Sequence, residues 1–183
     1  MEQKTIIVYD FEELKEDIQE KVLNHFRETN DYHFLEENLQ EHLREILEEY
    51  KIKCLDEPRL RYSLGYSKGD GLSFVGAFEF QGVRFYCKEG NLSNYYCHSN
   101  TIDIEMEELE DEENDGDLTE ELQLIKIKEY EKTENEFNEF YHDICKKLEK
   151  IGYEEIEYQD SDENIKDNIQ INEYKFTENG EIF

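Results

Sequence analysis

The chain has 183 residues, with 49 Asp or Glu against 20 Lys or Arg and a formal net charge of −29 at pH 7. That balance excludes the basic footprint of a direct nucleic-acid binder. The 13 Tyr and 11 Phe exclude a purely solvated acidic tail, so a core exists and the acids surround it. Self-repulsion at this charge weakens the compact state, so selection for something else maintains it.

Cys54, Cys87, Cys97 and Cys145 show no C-x-x-C spacing. Met1 is followed by polar Glu2-Gln3-Lys4, and no apolar run reaches the length of a signal peptide or membrane span. The expectation is a cytoplasmic protein with reduced thiols, no zinc site and no cofactor.

Lys4 to Tyr9 reads as a short strand. Asp10 is an N-cap, and Glu13 completes a capping box with it. Leu14, Ile18, Val22 and Phe26 recur every four residues and predict a helix to about Arg27. After Thr29-Asn30-Asp31, a second helix is marked by Leu35, Leu39, Leu43, Ile46, Leu47 and Tyr50. Lys51 to Leu55 reads as a strand. Arg59 to Cys87 is the most strand-like stretch, with Leu60, Tyr62, Leu64 and Tyr66 on one face. Lys68-Gly69-Asp70-Gly71 reverses the chain. Leu72, Phe74, Phe78 and Phe80 resume the alternation, Gln81-Gly82 turns again, and Val83, Phe85 and Cys87 follow. Tyr95 to Met106 reads as a fourth strand.

A long helix after Thr119 is predicted from Leu122, Ile125, Tyr130, Phe137, Tyr141, Ile144, Cys145 and Leu148, closing near Gly152. Tyr153 to Tyr158 then alternates like a strand. Asp160 or Ser161 caps a short helix through about Ile169, and Glu173 to Phe183 closes as a hairpin around Glu178-Asn179-Gly180.

Candidate chemistry is sparse. The turn Ser67-Lys68-Gly69-Asp70-Gly71 offers Asp70 as a lone general base, but strands rather than a helix N-terminus flank it, and turn chemistry alone explains it. Asp111-Glu112-Glu113-Asn114-Asp115-Gly116 begins like a calcium loop, yet Leu122 stands where the bidentate Glu belongs. Asp160 to Asn164 begins similarly and has Ile165 in place of Gly. His25, His33, His42, His98 and His142 are scattered, as surface or boundary residues. From Glu107 to Asp117 the chain carries Glu107, Glu108, Glu110, Asp111, Glu112, Glu113, Asp115 and Asp117 with no Lys or Arg. Duplex DNA presents one charge per roughly 1.7 Å of axis, and carboxylates along a helix or strand edge approximate such a density.

Three segments together resemble a family of small phage and prophage proteins: Val8–Glu28, the strand–S-x-G-D-G–strand signature at Tyr62–Phe80, and the closing helix and hairpin at Ile165–Phe183. Lys68 stands where the family pattern usually shows Gln. Some members are labelled antitoxin-like. The resemblance implies a mobile-element origin and supports the fold; it assigns no catalytic residues.

The sequence therefore predicts a single α+β domain over residues 1–183. A mainly antiparallel sheet, a central meander, is packed by two N-terminal helices and one long C-terminal helix. A small terminal hairpin and an acidic solvated loop at about 107–118 complete it. The expected function is that of a phage-encoded, non-enzymatic nucleic-acid mimic. It would bind a basic host nuclease or nucleic-acid-binding protein, such as a CRISPR or restriction effector, through Glu107–Asp117 and acids such as Glu131, Glu134 and Glu136. An antitoxin or other interaction module is the second reading, and a small enzyme using the Gly69-Asp70-Gly71 turn the third.

Overall fold

The computed structural model describes residues 7–107 and 120–183. The chain divides into two compact units, Glu36–Tyr153 and Met1–Leu35 with Glu154–Phe183. The architecture is α+β, with helices α1 (Glu16–Thr29), α2 (Leu35–Glu49), α3 (Glu120–Gln159) and α4 (Asp162–Ile171). Strands β1 (Lys53–Cys54), β2 (Arg59–Ser63), β3 (Gly71–Phe80), β4 (Val83–Glu89) and β5 (Ile102–Met106) form one antiparallel sheet.

In the larger unit the sheet is the expected meander. β3 pairs with β2 along its first half (Leu60 opposite Phe74) and with β1 and β4 along its second (Cys54 and Phe85 both opposite Phe78). The change of partner falls at Gly76, whose φ is +156°. A Cβ there would lie 2.9 Å from Asp56 Oδ1, the atom that accepts the Ala77 N–H at 2.8 Å. A side chain at 76 would displace that carboxylate and leave a backbone donor without its partner.

Leu72, Phe74, Phe78 and Phe80 are buried on one face, as the alternation requires. α3 covers them with Phe137 and Tyr141. Phe85 stacks on Phe137 with centroids 4.0 Å apart at 7°, and Phe74 meets Tyr141 at 4.6 Å. α2 buries Leu39, Leu43, Ile46 and Leu47.

Five local expectations are corrected. The strand from Arg59 ends at Ser63, and Tyr66 sits in a turn with φ +55°. The fourth strand begins only at Ile102. Before it, Thr101 Oγ1 donates to His98 O at 2.7 Å and Gly90 N–H donates to Thr101 O at 2.9 Å, which folds the preceding loop back. Residues Tyr153 to Tyr158 are helical. The spacing Leu148, Gly152, Ile156 continues the four-residue rhythm, and Ile156 is buried. Gly152 is not a stop signal: a Cβ there would lie 2.4 Å from Leu64 Cδ1, so the glycine admits a close neighbour. At the other end of α3, Ile125 is 47% exposed rather than packed, as are Leu124 and Ile127.

In the smaller unit α1 packs on α4. Phe11, Leu14, Val22, Leu23, Ile165, Ile169 and Phe176 form its core. The Asp10–Glu13 box caps a single 3-10 turn, Phe11–Glu13, and α1 starts at Glu16. The terminal hairpin is present in brief form, with Phe176 bridged to both Tyr9 and Ile182.

Candidate partner interface

The predicted contact run starts at Glu107, just past β5. Glu108, Glu110, Asp111, Glu112, Glu113, Asp115 and Asp117 lie outside the described residues, as does the calcium-like stretch 111–116. Glu107 itself donates its N–H to Arg84 O at 2.8 Å, and its carboxylate pairs with Arg84 at 3.4 Å. It closes a row across the outer face of the sheet. Lys53 pairs with Glu79 at 3.6 Å, Glu79 stands opposite Arg84, and Arg84 meets Glu107. On β5 the next acid along, Glu105, pairs with Lys88 at 2.5 Å. Signs alternate along this face, so Glu105 and Glu107 are locally compensated.

A denser acidic strip lies on α2. Glu37, Glu41, Glu45, Glu48 and Glu49 are all exposed on the side away from the buried leucines. At 1.5 Å rise per residue they occupy about 18 Å of axis, roughly one carboxylate per 4 Å. One strand of a duplex carries a charge about every 3.4 Å. The helix's one arginine, Arg44, is engaged by Glu57. The strip is legible in the sequence as glutamates on the polar side of a leucine stripe. On α3, Glu131 is exposed, while Glu136 accepts from Gln81 Nε2 at 2.9 Å and pairs with Lys132 at 3.6 Å.

The Ser67–Gly71 turn is built around Asp70. Its Oδ1 accepts the Ser63 hydroxyl at 2.8 Å. Its Oδ2 accepts the Ser67 N–H at 2.6 Å and the Tyr153 hydroxyl at 3.4 Å. These donors, the Ser67 N–H first, hold the Asp70 carboxyl below its ordinary value. A carboxylate so stabilised is a weaker base, and its lone pairs are directed at the turn. Gly69, with φ +104°, backs onto Tyr96, where a Cβ would lie 2.6 Å from the ring. The turn clamps the β2–β3 connection.

The remaining candidates resolve into packing. His142 Nδ1 lies 3.0 Å from Ser99 Oγ, and burial lowers the imidazole's pKa. Among the described residues no hydrogen bond reaches its Nε2, so no third group orients the pair. The Asp160–Asn164 stretch is a helix start. Ser161 Oγ accepts the Asn164 N–H at 3.3 Å, and the Asp160 carboxylate accepts from Tyr32 Oη at 2.8 Å and Asn30 Nδ2 at 3.2 Å. Burial raises the Cys87 thiol to about 12, and Cys145 rises likewise. Among the described residues no cluster of three or more His, Cys, Asp or Glu side chains could hold a metal, and no helix is long and apolar enough to cross a membrane. No family model, curated protein or solved structure matches the chain.

Proposed function

We propose that this is a phage- or prophage-encoded acidic protein that acts in the host cytoplasm. It binds a basic nuclease or other nucleic-acid-handling protein, such as a CRISPR or restriction effector, and blocks its nucleic-acid channel. The observation that carries this reading is the exposed glutamate strip of α2, whose linear charge density approaches that of one nucleic-acid strand, in a chain of net charge −29. Opposite fields accelerate encounter with a basic channel and set specificity. The acids from Glu107 to Asp117 add to the chain's negative charge.

The test is capture from host lysate on the tagged protein, washed at low and high salt, with bound proteins identified by mass spectrometry. The expected result is a basic nuclease or nucleic-acid-binding protein that is released by salt and displaced by duplex DNA. The triple change Glu37→Gln, Glu41→Gln, Glu45→Gln should weaken capture by orders of magnitude without altering the fold. A salt-resistant small toxin would instead establish the antitoxin reading, and unchanged capture by the triple variant would remove α2 from the interface.

A further inference from the structure

An open cavity of about 790 Å³ lies in the larger unit, lined by Glu49, Tyr50, Lys51, Phe80, Gln81, Glu136, Glu139 and Phe140. Its apolar wall is a chain of three rings. Phe140 meets Tyr50 edge-on at 4.9 Å between centroids and Phe80 edge-on at 5.6 Å. Its polar wall is acidic, with Glu49, Glu136 and Glu139 against the single cation Lys51. Among the described residues no cation pairs with Glu49 or Glu139, whereas Glu136 is positioned by Gln81 and shared with the exposed Lys132.

Two lip residues adopt left-handed backbone that favours glycine: Lys51 with φ +56° and Gln81 with φ +51°. Both are turn positions where glycine would be easier. Their conformations bring the C-terminal end of α2 and the β3–β4 turn to the same opening. The cavity wall already receives one cation: the Lys147 ammonium lies 4.5 Å from the Tyr50 ring centroid and donates to the Tyr50 hydroxyl at 2.6 Å.

We propose that this cavity receives an arginine side chain of the basic partner. The guanidinium would stack against the Phe140 and Tyr50 rings while Glu139 and Glu49 accept its N–H groups. Arginine fits better than lysine, because a planar guanidinium offers both a stacking face and a fork of donors for carboxylates. The inference rests on the proposed basic partner, and it locates one specific contact within an otherwise diffuse acidic field.

The probe is a capped Gly-Arg-Gly tripeptide, titrated into the isotopically labelled full chain and followed by amide chemical shifts. Peptides with Lys or norleucine at the centre are the comparisons. The expected result is saturable shifts centred on Tyr50, Gln81 and Phe140 for arginine, weaker for lysine and absent for norleucine. The double change Glu49→Gln, Glu139→Gln should weaken arginine binding about ten-fold. The charge-matched Glu20→Gln, Glu28→Gln on exposed α1 positions should leave it unchanged. Phe140→Leu should weaken it and narrow the preference over lysine. Shifts scattered over all exposed acids, equal losses in the two double variants, or no shifts at all would overturn the cavity assignment. None of these results would touch DNA-displaceable capture of a nuclease. Conversely, cavity-centred arginine binding with no nuclease captured would fail the proposed function and leave the arginine site standing.

Discussion

The Tyr141 hydroxyl donates to Phe74 O at 2.8 Å and accepts the Phe74 N–H at 3.3 Å, with both residues buried. One side chain of α3 thereby satisfies both backbone groups of a β3 residue. The need arises because β3 outruns its neighbour: the β3–β4 register ends at Gly76 opposite Cys87, two residues short of Phe74. Burial drives the tyrosine pKa upward, which keeps the hydroxyl protonated and able to donate. Tyr141→Phe keeps the ring and removes the hydroxyl with both of its bonds to Phe74 and its contact with the Cys145 thiol. The expected loss is about 1–3 kcal/mol for each orphaned backbone group. Urea unfolding should show a lower midpoint with an unchanged slope; an unchanged midpoint would mean that the hydroxyl is dispensable.

Ser73 presents the opposite case. It stands directly opposite Arg61 in the β2–β3 pair and is fully buried, and among the described residues its hydroxyl has no hydrogen-bond partner. Burying an uncompensated hydroxyl costs about 1–3 kcal/mol on protein mutational scales. Ser73→Ala should therefore hold or raise the thermal midpoint. A clear drop, measured by calorimetry, would reveal a partner for the hydroxyl.

Gly152→Ala sets two effects against each other. Alanine gains about 1 kcal/mol of helix propensity over glycine in mid-helix. The new Cβ would meet Leu64 Cδ1 at 2.4 Å, and overpacking costs typically about 1–3 kcal/mol. The variant should be less stable than the parent. The same substitution in a Leu64→Ala background, where the obstructing carbon is gone, should be neutral or stabilising. Equal effects in both backgrounds would contradict the close-contact reading.

Asp70 gives a pH signature. Its folded pKa lies below the ordinary carboxyl value, so it binds fewer protons folded than unfolded. Its contribution is complete above the unfolded value near about 4 and disappears as pH falls through the lowered folded value. The stability difference between the parent and Asp70→Asn should be constant from neutral pH down to mildly acid conditions, then shrink. Comparing the two proteins removes the larger pH effect of easing self-repulsion in a chain of net charge −29. A difference that persists undiminished into strong acid would show that the carboxylate charge is irrelevant to the turn.

The meander, the leucine stripe of α2, the aromatic stripe of α3 and the cap at Ser161 were legible in the sequence. Each is a short-range pattern that one element imposes on its own side chains: period two for a face of a sheet, four-residue spacing for a helix, a side-chain oxygen ahead of a first turn. The overall acidity was equally plain, because net charge is a sum that folding does not alter. What only the tertiary structure decided are the long-range meetings. Tyr153 to Tyr158 alternates like a strand, but the structure carries Leu148, Gly152 and Ile156 along one continuous helix, with Gly152 serving Leu64 rather than ending α3. Tyr141 reads as one more apolar position, and only the early end of the β4 pairing gives its hydroxyl a task at Phe74. Tyr50, Phe80 and Phe140 belong to three separate segments and carry no shared spacing. Their convergence beside Glu49 and Glu139 depends on where α2 ends and β3 turns, and no local pattern encodes that.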